Sequence, residues 1–237
     1  LRAWATPMIS PFTVRIGTIF ESSHLPLHLW LQVIHLMCAS KKGMSAAQLG
    51  RMLGITHKSA WFMAHRIREA MRPAVASPIG GEGKTVEADE TVIGGKERNK
   101  RKSKRNPKNI GAVGKQIAFS LVERGGKVRT FHVEQATKIN VAELVTRNVA
   151  HESTLYTDES RLYGDAKDHF TTHATVKHSA GEYVRGDVHT NTIEGFWAQL
   201  KRGINGTHIH VSAKHLPKYL GEFEYRHNRR HAPHAML

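Results

Sequence analysis

Asn191 and Glu194 stand three residues apart in His189-Thr190-Asn191-Thr192-Ile193-Glu194-Gly195-Phe196-Trp197, and Lys201 and Arg202 follow shortly after. On a helix that spacing brings two oxygen donors to neighbouring positions, with two cations near the far end. Oxygen donors suit a hard divalent cation such as Mg²⁺ or Mn²⁺, and Lys and Arg suit phosphate, one as a point charge and the other as a planar fork. Two isolated acids upstream, Asp89 and Asp158, would complete a carboxylate set. Such a set fits in-line displacement at phosphorus. Two divalent ions roughly 3.5–4 Å apart activate the attacking oxygen and stabilise the leaving one, without a protein nucleophile. The chemistry indicated is cleavage of a nucleic-acid backbone.

Each acid needs an element to hold it. Residues 84–93 are rich in β-branched side chains and read as a strand, with Val86, Ala88 and Glu90 on one face and Asp89 on the other; Gly94-Gly95 ends it. Residues 112–122 and 127–133 form two more strands joined by Glu123-Arg124-Gly125-Gly126, where the glycine pair supplies positive φ for a hairpin. A helix is expected over 140–150. Ser153-Thr154-Leu155-Tyr156-Thr157-Asp158-Glu159-Ser160 then reads as a short strand with Asp158 at its C-terminal end, where open α/β sheets place ligand-binding groups. Strand, hairpin, helix, strand and helix make an α/β layout. Asp89 and Asp158 meet only if their strands are neighbours, which the order of elements does not fix.

The front of the chain is helical. Ser45 caps a helix over 45–53, Gly54 stops it, and Thr56 caps a second that runs through Met71 with Ala60, Ala64, Ile67 and Met71 at helical spacing. This is a helix-turn-helix pattern. Lys58 and Ser59 lie at the start of its second helix, where base edges are read, and Arg66 lies further along. An apolar helix around residues 25–37, with Trp30 packed inside, completes a three-helix core. The Pro- and Gly-rich stretch after residue 73 marks a boundary. The organisation expected is an N-terminal segment 1–24, a DNA-binding domain 25–75, a linker 76–84 and a catalytic domain 85–237.

Composition agrees with a polyanionic partner. The 237 residues carry 35 Lys and Arg against 20 Asp and Glu, a formal charge of +15. That is the balance of a protein that neutralises nucleic acid. The tract 96–108 concentrates it, with Lys100, Arg101, Lys102, Lys104 and Arg105 in a run too poor in apolar residues to fold alone; it reads as a mobile loop that orders on a phosphate backbone. Cys38, the single cysteine, is a small buried hydrophobe in this reading, and nothing resembles a secretion signal or a membrane span. A cytoplasmic protein is expected.

Glu87-Ala88-Asp89-Glu90-Thr91-Val92-Ile93-Gly94-Gly95-Lys96, Tyr156-Thr157-Asp158-Glu159, His178-Ser179-Ala180-Gly181-Glu182-Tyr183-Val184 and the segment from His189 to Trp197 resemble bacterial insertion-sequence transposases of the ISXO-like branch. The resemblance runs on through Tyr225-Arg226-His227-Asn228-Arg229-Arg230 and takes in the helical front. It implies a ribonuclease-H-like core, a mixed sheet flanked by helices, behind the small all-α domain. It also implies binding of terminal inverted repeats, cleavage at the element's ends and transfer of the freed 3′-hydroxyl to target DNA. By position Asp89 and Asp158 match the first two acids of the triad and Glu194 the third, with Asp158 bridging two ions while Asp89 and Glu194 each hold one. Some members of the branch carry Asn at the third position, so Asn191 competes with Glu194. His189 would cap the helix, bond Asp158 or reach the metal. Lys201 and Arg202 would grip phosphates, and a homodimer would hold the paired double-stranded DNA ends.

Relatives often carry a cysteine-bearing zinc ribbon ahead of the helix-turn-helix. With one cysteine this sequence has no four-thiolate site, and an end-recognition module is expected to be missing. Two other readings stay open: a catalytically inactive, transposase-derived DNA-binding protein, and a structure-selective nuclease sharing the metal site.

Overall fold

The structure is a computed structural model that describes residues 13–73, 77–108, 113–164, 166–232 and 236. Its centre is a five-stranded mixed sheet in the order β3-β2-β1-β4-β5, formed by β1 (Thr85–Ile93), β2 (Gln116–Glu123), β3 (Val128–Val133), β4 (Thr154–Asp158) and β5 (Thr172–Val176). β1–β2 and β2–β3 pair antiparallel, whereas β1–β4 and β4–β5 pair in parallel. A parallel pair needs a crossover, and α4 (Lys138–Asn148) supplies it between β3 and β4.

Strand alternation divides the side chains between two cores. Val86, Ala88, Phe119, Leu121 and Leu155 pack against Val141 and Val145 of α4. On the opposite face Ala118, Val122 and Val128 pack against α5 (Asn191–Gly203) and α6 (Leu216–Asn228) through Phe196, Leu200, Leu220 and Phe223. α6 also covers the edge of the sheet. Asn228 Oδ1 accepts the Val128 amide at 2.7 Å and Glu224 Oε2 the Thr130 amide at 2.9 Å, which satisfies β3 backbone groups that an open edge would leave unpaired. This five-stranded sheet with flanking helices is compatible with the expected ribonuclease-H-like core.

The front of the chain forms α1 (Leu27–Ala39), α2 (Ala46–Leu53) and α3 (His57–Met71) around Trp30, Met37, Leu49, Met63, Ala64 and Ile67. Ser45 accepts from the Gln48 amide, Thr56 from the Ser59 amide, and Gly54 closes α2 at φ 64°, a left-handed conformation that costs a glycine little. These caps fall where the sequence puts them. The helices do not stand apart from the sheet, however. The Arg68 guanidinium of α3 meets Glu222 of α6 at 2.6 Å, with side-chain exposures of 2% and 0%, and Arg226 bonds the other Glu222 oxygen. Because a carboxylate this deep needs full compensation, the ion triad fixes α3 against α6.

Other expectations shift. The segment read as a linker is laid onto the fold: buried Ile79 pairs with Val149 as an isolated parallel bridge, and Gly81 N donates to Ser153 Oγ at 2.9 Å. In the β2–β3 turn only Gly125, at φ 71°, takes positive φ, so the glycine pair is not used as a pair. β5 and the small hairpin of β6 (Val184–Arg185) and β7 (Val188–His189) add strands that the sequence reading left out. Residue 112, the expected start of the second strand, and residues 74–76 and 233–235 at the expected domain ends lie outside the described residues. No helix among the described residues is long and apolar enough to cross a membrane.

Candidate functional site

β1 and β4 are neighbours. Their parallel register pairs Thr85 with Thr154, Val86 with Leu155 and Glu87 with Tyr156, and its continuation brings Asp89 opposite Asp158 at the C-terminal end of β4. The adjacency is felt electrostatically. Burial, then the nearby Glu90 and Asp158 carboxylates, push the Asp89 carboxyl from its ordinary 3.8 up to about 7. Asp158 Oδ1 accepts the Ser160 amide at 2.9 Å, which orients its carboxylate at the strand end.

Glu90 points to the other face of β1, where the Tyr163 hydroxyl donates to Oε2 at 2.6 Å. Burial and then the Asp158 charge raise Glu90 as well, and burial beside Glu90 raises the Tyr163 phenol. Three acids therefore crowd one end of β1 and β4. A mutually repelling, oxygen-only donor pair such as Asp89 and Asp158 fits a hard divalent cation, which relieves the repulsion that raises Asp89.

α5 brings the remaining candidates. Trp197 Nε1 donates to Asp89 Oδ2 at 2.9 Å, so the face of α5 that carries Trp197 is turned towards the acid pair. At about 100° per residue Glu194 lies roughly 60° from Trp197 around the helix, and Asn191 roughly 120°. Glu194 is exposed, and the Thr190 hydroxyl donates to its Oε1 at 3.3 Å. Asn191 is exposed, and its side chain makes no hydrogen bond among the described residues. Among the described residues no three acidic, imidazole or thiol side chains converge into a group ready to hold a metal ion. Asp89 and Asp158 thus interact across neighbouring strands, while Glu194 and Asn191 stand on α5 and do not join them in such a group.

His189 takes one of the roles open to it. Arg124 Nη2 reaches its Nδ1 at 2.9 Å, and the Asn191 amide donates to the same atom at 3.3 Å. A guanidinium only donates, so Nδ1 is an acceptor, the proton sits on Nε2, and the 3.5 Å approach of Nδ1 to Glu87 is not an ion pair. His189 caps the start of α5 and bonds neither aspartate.

Among the described residues, some basic side chains are exposed and others are engaged. Lys58, Arg101, Lys102, Lys104, Lys201 and Arg202 are exposed. Arg66 is engaged: Nη1 donates to the Glu21 carbonyl at 2.6 Å beside the Phe62 ring. Ser59 bonds the Thr56 cap, and Lys100 meets Glu97 at 2.7 Å. Arg105 donates to the carbonyls of Lys100 and Arg98, closing a tract that contains short 3₁₀ turns at Glu97–Asn99 and Lys102–Lys104. The basic tract therefore has local structure of its own.

Elsewhere, a cavity of about 730 Å³ touches Thr192, Gly195 and Gln199, on the side of α5 roughly opposite Trp197. Its walls include half-buried Cys38, whose thiol donates to the Met236 carbonyl, and it is separate from the acid pair. Glu87 escaped the sequence reading altogether, although it is a fully buried acid beside the segment entering α5. Its signal was present: a Glu at a strand position facing the same way as Asp89, where an apolar side chain is the ordinary choice.

Comparison with known proteins agrees with this geometry. The family described as the ISXO2-like transposase domain matches residues 80–228, which spans the sheet, α5 and α6. A protein described as an uncharacterized protein in transposable element ISH50, from Halobacterium salinarum, is 30% identical over 225 residues, covering 91% of this chain and 74% of that protein. With the matched region containing both aspartates and the helix turned towards them, the chain belongs to the ISXO2-like transposase family.

Proposed function

We propose that the protein cuts the ends of an insertion element and joins them to target double-stranded DNA, with Asp89, Asp158 and Glu194 as its catalytic acids. The observation that supports this reading is the parallel pairing of β1 with β4, together with the Asp158 charge that helps to raise the Asp89 carboxyl to about 7. Mg²⁺ or Mn²⁺, as two ions, would be held by Asp89, Asp158 and Glu194 and would supply Lewis-acid activation of the attacking and leaving oxygens. The protein's own part is to orient these acids: Trp197 holds Asp89, the Ser160 amide holds Asp158, and Thr190 holds Glu194. The bearing of Glu194 on α5, nearer to Trp197 than that of Asn191, supports Glu194 as the third acid.

Lys201 and Arg202, exposed at the end of α5, serve as phosphate contacts, and the exposed cations of the 96–108 tract extend that surface. Lys58 and Ser59 at the start of α3 read base edges in a domain spanning residues 25–75. Paired ends must be held together, so the working form on DNA is a homodimer. A monomeric complex that joins paired ends would overturn that point.

The deciding experiment measures Mg²⁺-dependent cleavage and joining of terminal-repeat DNA by wild type, Asp158→Asn, Glu194→Gln and Asn191→Ala. Loss of both steps in the first two variants and retention in the third is expected. Full activity in Asp158→Asn defeats the metal-site reading. Full metal-independent DNA binding without cleavage by wild type favours a transposase-derived DNA binder, and nicking without strand transfer from pre-cut ends favours a nuclease.

A further inference from the structure

Glu87 stands two residues before Asp89 on the same face of β1, and its carboxylate is fully buried. A buried carboxylate persists only where charge and hydrogen bonds compensate it. Here Oε2 accepts the Ile193 amide at 2.9 Å, while Oε1 accepts the Thr192 hydroxyl at 2.9 Å and Arg124 Nε at 2.7 Å. The Ile193 amide belongs to the first turn of α5, whose N–H groups have no partner inside the helix. Thr190, at the cap position, makes no side-chain cap bond. Glu87 therefore caps α5 from the neighbouring strand, and its charge suits the positive end of the helix dipole.

Arg124 extends the clamp. Besides Glu87 it donates to the Asp187 carbonyl at 2.8 Å and the His189 carbonyl at 2.9 Å, and its guanidinium lies 4.8 Å from the centre of the Tyr156 ring. One ion pair thus joins β1, the β2–β3 turn, β4 and the segment that leads into α5.

We propose that Glu87, held by Arg124, is the positioning residue for the third acid, setting where the first turn of α5 and Glu194 stand relative to Asp89. This rests on the reading of Asp89, Asp158 and Glu194 as a cation-holding set. The strand then performs two tasks on one face, carrying a ligand and aligning the helix that bears another.

The test compares wild type, Glu87→Gln and Arg124→Lys in four measurements: amide exchange over residues 191–194, Mn²⁺ affinity by calorimetry, cleavage rate against Mg²⁺ concentration, and DNA affinity. Glu87→Gln is expected to exchange faster at Ile193 and to lose about 10–100-fold in cation affinity and cleavage rate, the usual cost of removing a group that orients a metal ligand. DNA affinity should hold, and Arg124→Lys, which keeps a charge but not the fork, should fall between. A merely structural role would lower the melting temperature while leaving the cation requirement of the folded fraction unchanged. Unchanged cation affinity and rate in folded Glu87→Gln overturn the proposal; if that variant does not fold, the same result in Arg124→Lys does so. An active Asp158→Asn overturns the underlying acid assignment instead, whatever Glu87 does to exchange.

Discussion

Trp197 and Asp89 are joined by a 2.9 Å hydrogen bond from the indole Nε1–H to Oδ2, which ties α5 to the central strand one helical turn beyond Glu194. Trp197 is otherwise a core residue, 4% exposed, so its ring supplies packing and its N–H supplies direction. The bond favours the ionised form of Asp89. Trp197→Phe keeps most of the packing and removes the donor, so Asp89 should become harder to ionise. The acid limb of the cleavage rate against pH is expected to move up by roughly one unit, the scale of a hydrogen bond to a charged group. A limb that stays in place would show that the indole does not govern Asp89.

Asp89 also links stability to pH. Its carboxyl is raised from 3.8 to about 7, first by burial and then by Glu90 and Asp158, so the folded state holds a proton that the unfolded chain releases. That stabilisation is complete below the unfolded value and is lost as pH rises through the folded one. Metal-free Asp89→Asn should therefore melt higher than wild type above pH 7 and by a smaller margin at pH 5, at roughly 2–4 °C per kcal/mol. Added Mg²⁺ should raise the melting temperature of wild type and leave the variant unmoved. Thermal scans at the two pH values decide it.

Acid should act where α3 meets α6. His65 lies among Trp61, His215 and Tyr219 with no hydrogen-bond partner for either ring nitrogen among the described residues, and burial together with Arg68 lowers it to about 4. His208, half-buried beside Arg68 and Tyr219, is lowered to about 4 as well. For both, the unfolded chain binds protons more readily, so their contribution is present above the ordinary 6.5 and is lost as pH falls towards 4. The melting temperature should drop across that interval, and His65→Phe should flatten part of the drop because that ring no longer has nitrogens to be charged, while His208 keeps its own share. A parallel curve for the variant would remove His65 from the explanation.

The basic tract predicts a salt dependence. Arg101, Lys102 and Lys104 are exposed, while Arg105 and Lys100 hold the local turns together. Replacing the first three with Ala should reduce the slope of log affinity against log salt by about 0.9 for each phosphate that is no longer neutralised. Replacing Arg105 should also loosen the tract, seen as faster amide exchange over residues 98–105. An unchanged slope in the triple variant would place the DNA elsewhere.

Local signals carried much of this protein. Ser45, Gly54 and Thr56 mark helix ends through chemistry that acts within a few residues, and α2 and α3 begin and end where those caps lie. Alternation along residues 84–93 put Asp89 and Glu90 on opposite faces, as the separate partners Trp197 and Tyr163 bear out. Ile79 was harder to read, because its bridge partner Val149 is distant in sequence and a Pro- and Gly-rich stretch looks like a linker until something pairs with it. The bond from Arg66 to the Glu21 carbonyl joins residues 45 apart, and a charge in sequence carries no record of such a partner.

The sequence by itself determined the residue types, the short-range caps and the face of each strand, since these depend on periodicity and on neighbours along the chain. It also carried the strings by which the family is recognised. Only the tertiary structure decided that β1 and β4 are partners, that Trp197 reaches Asp89, and that Glu87 closes the start of α5. Those contacts join residues far apart in the chain, and strand order and helix orientation follow from packing the two faces of one sheet, a global condition that no local pattern encodes.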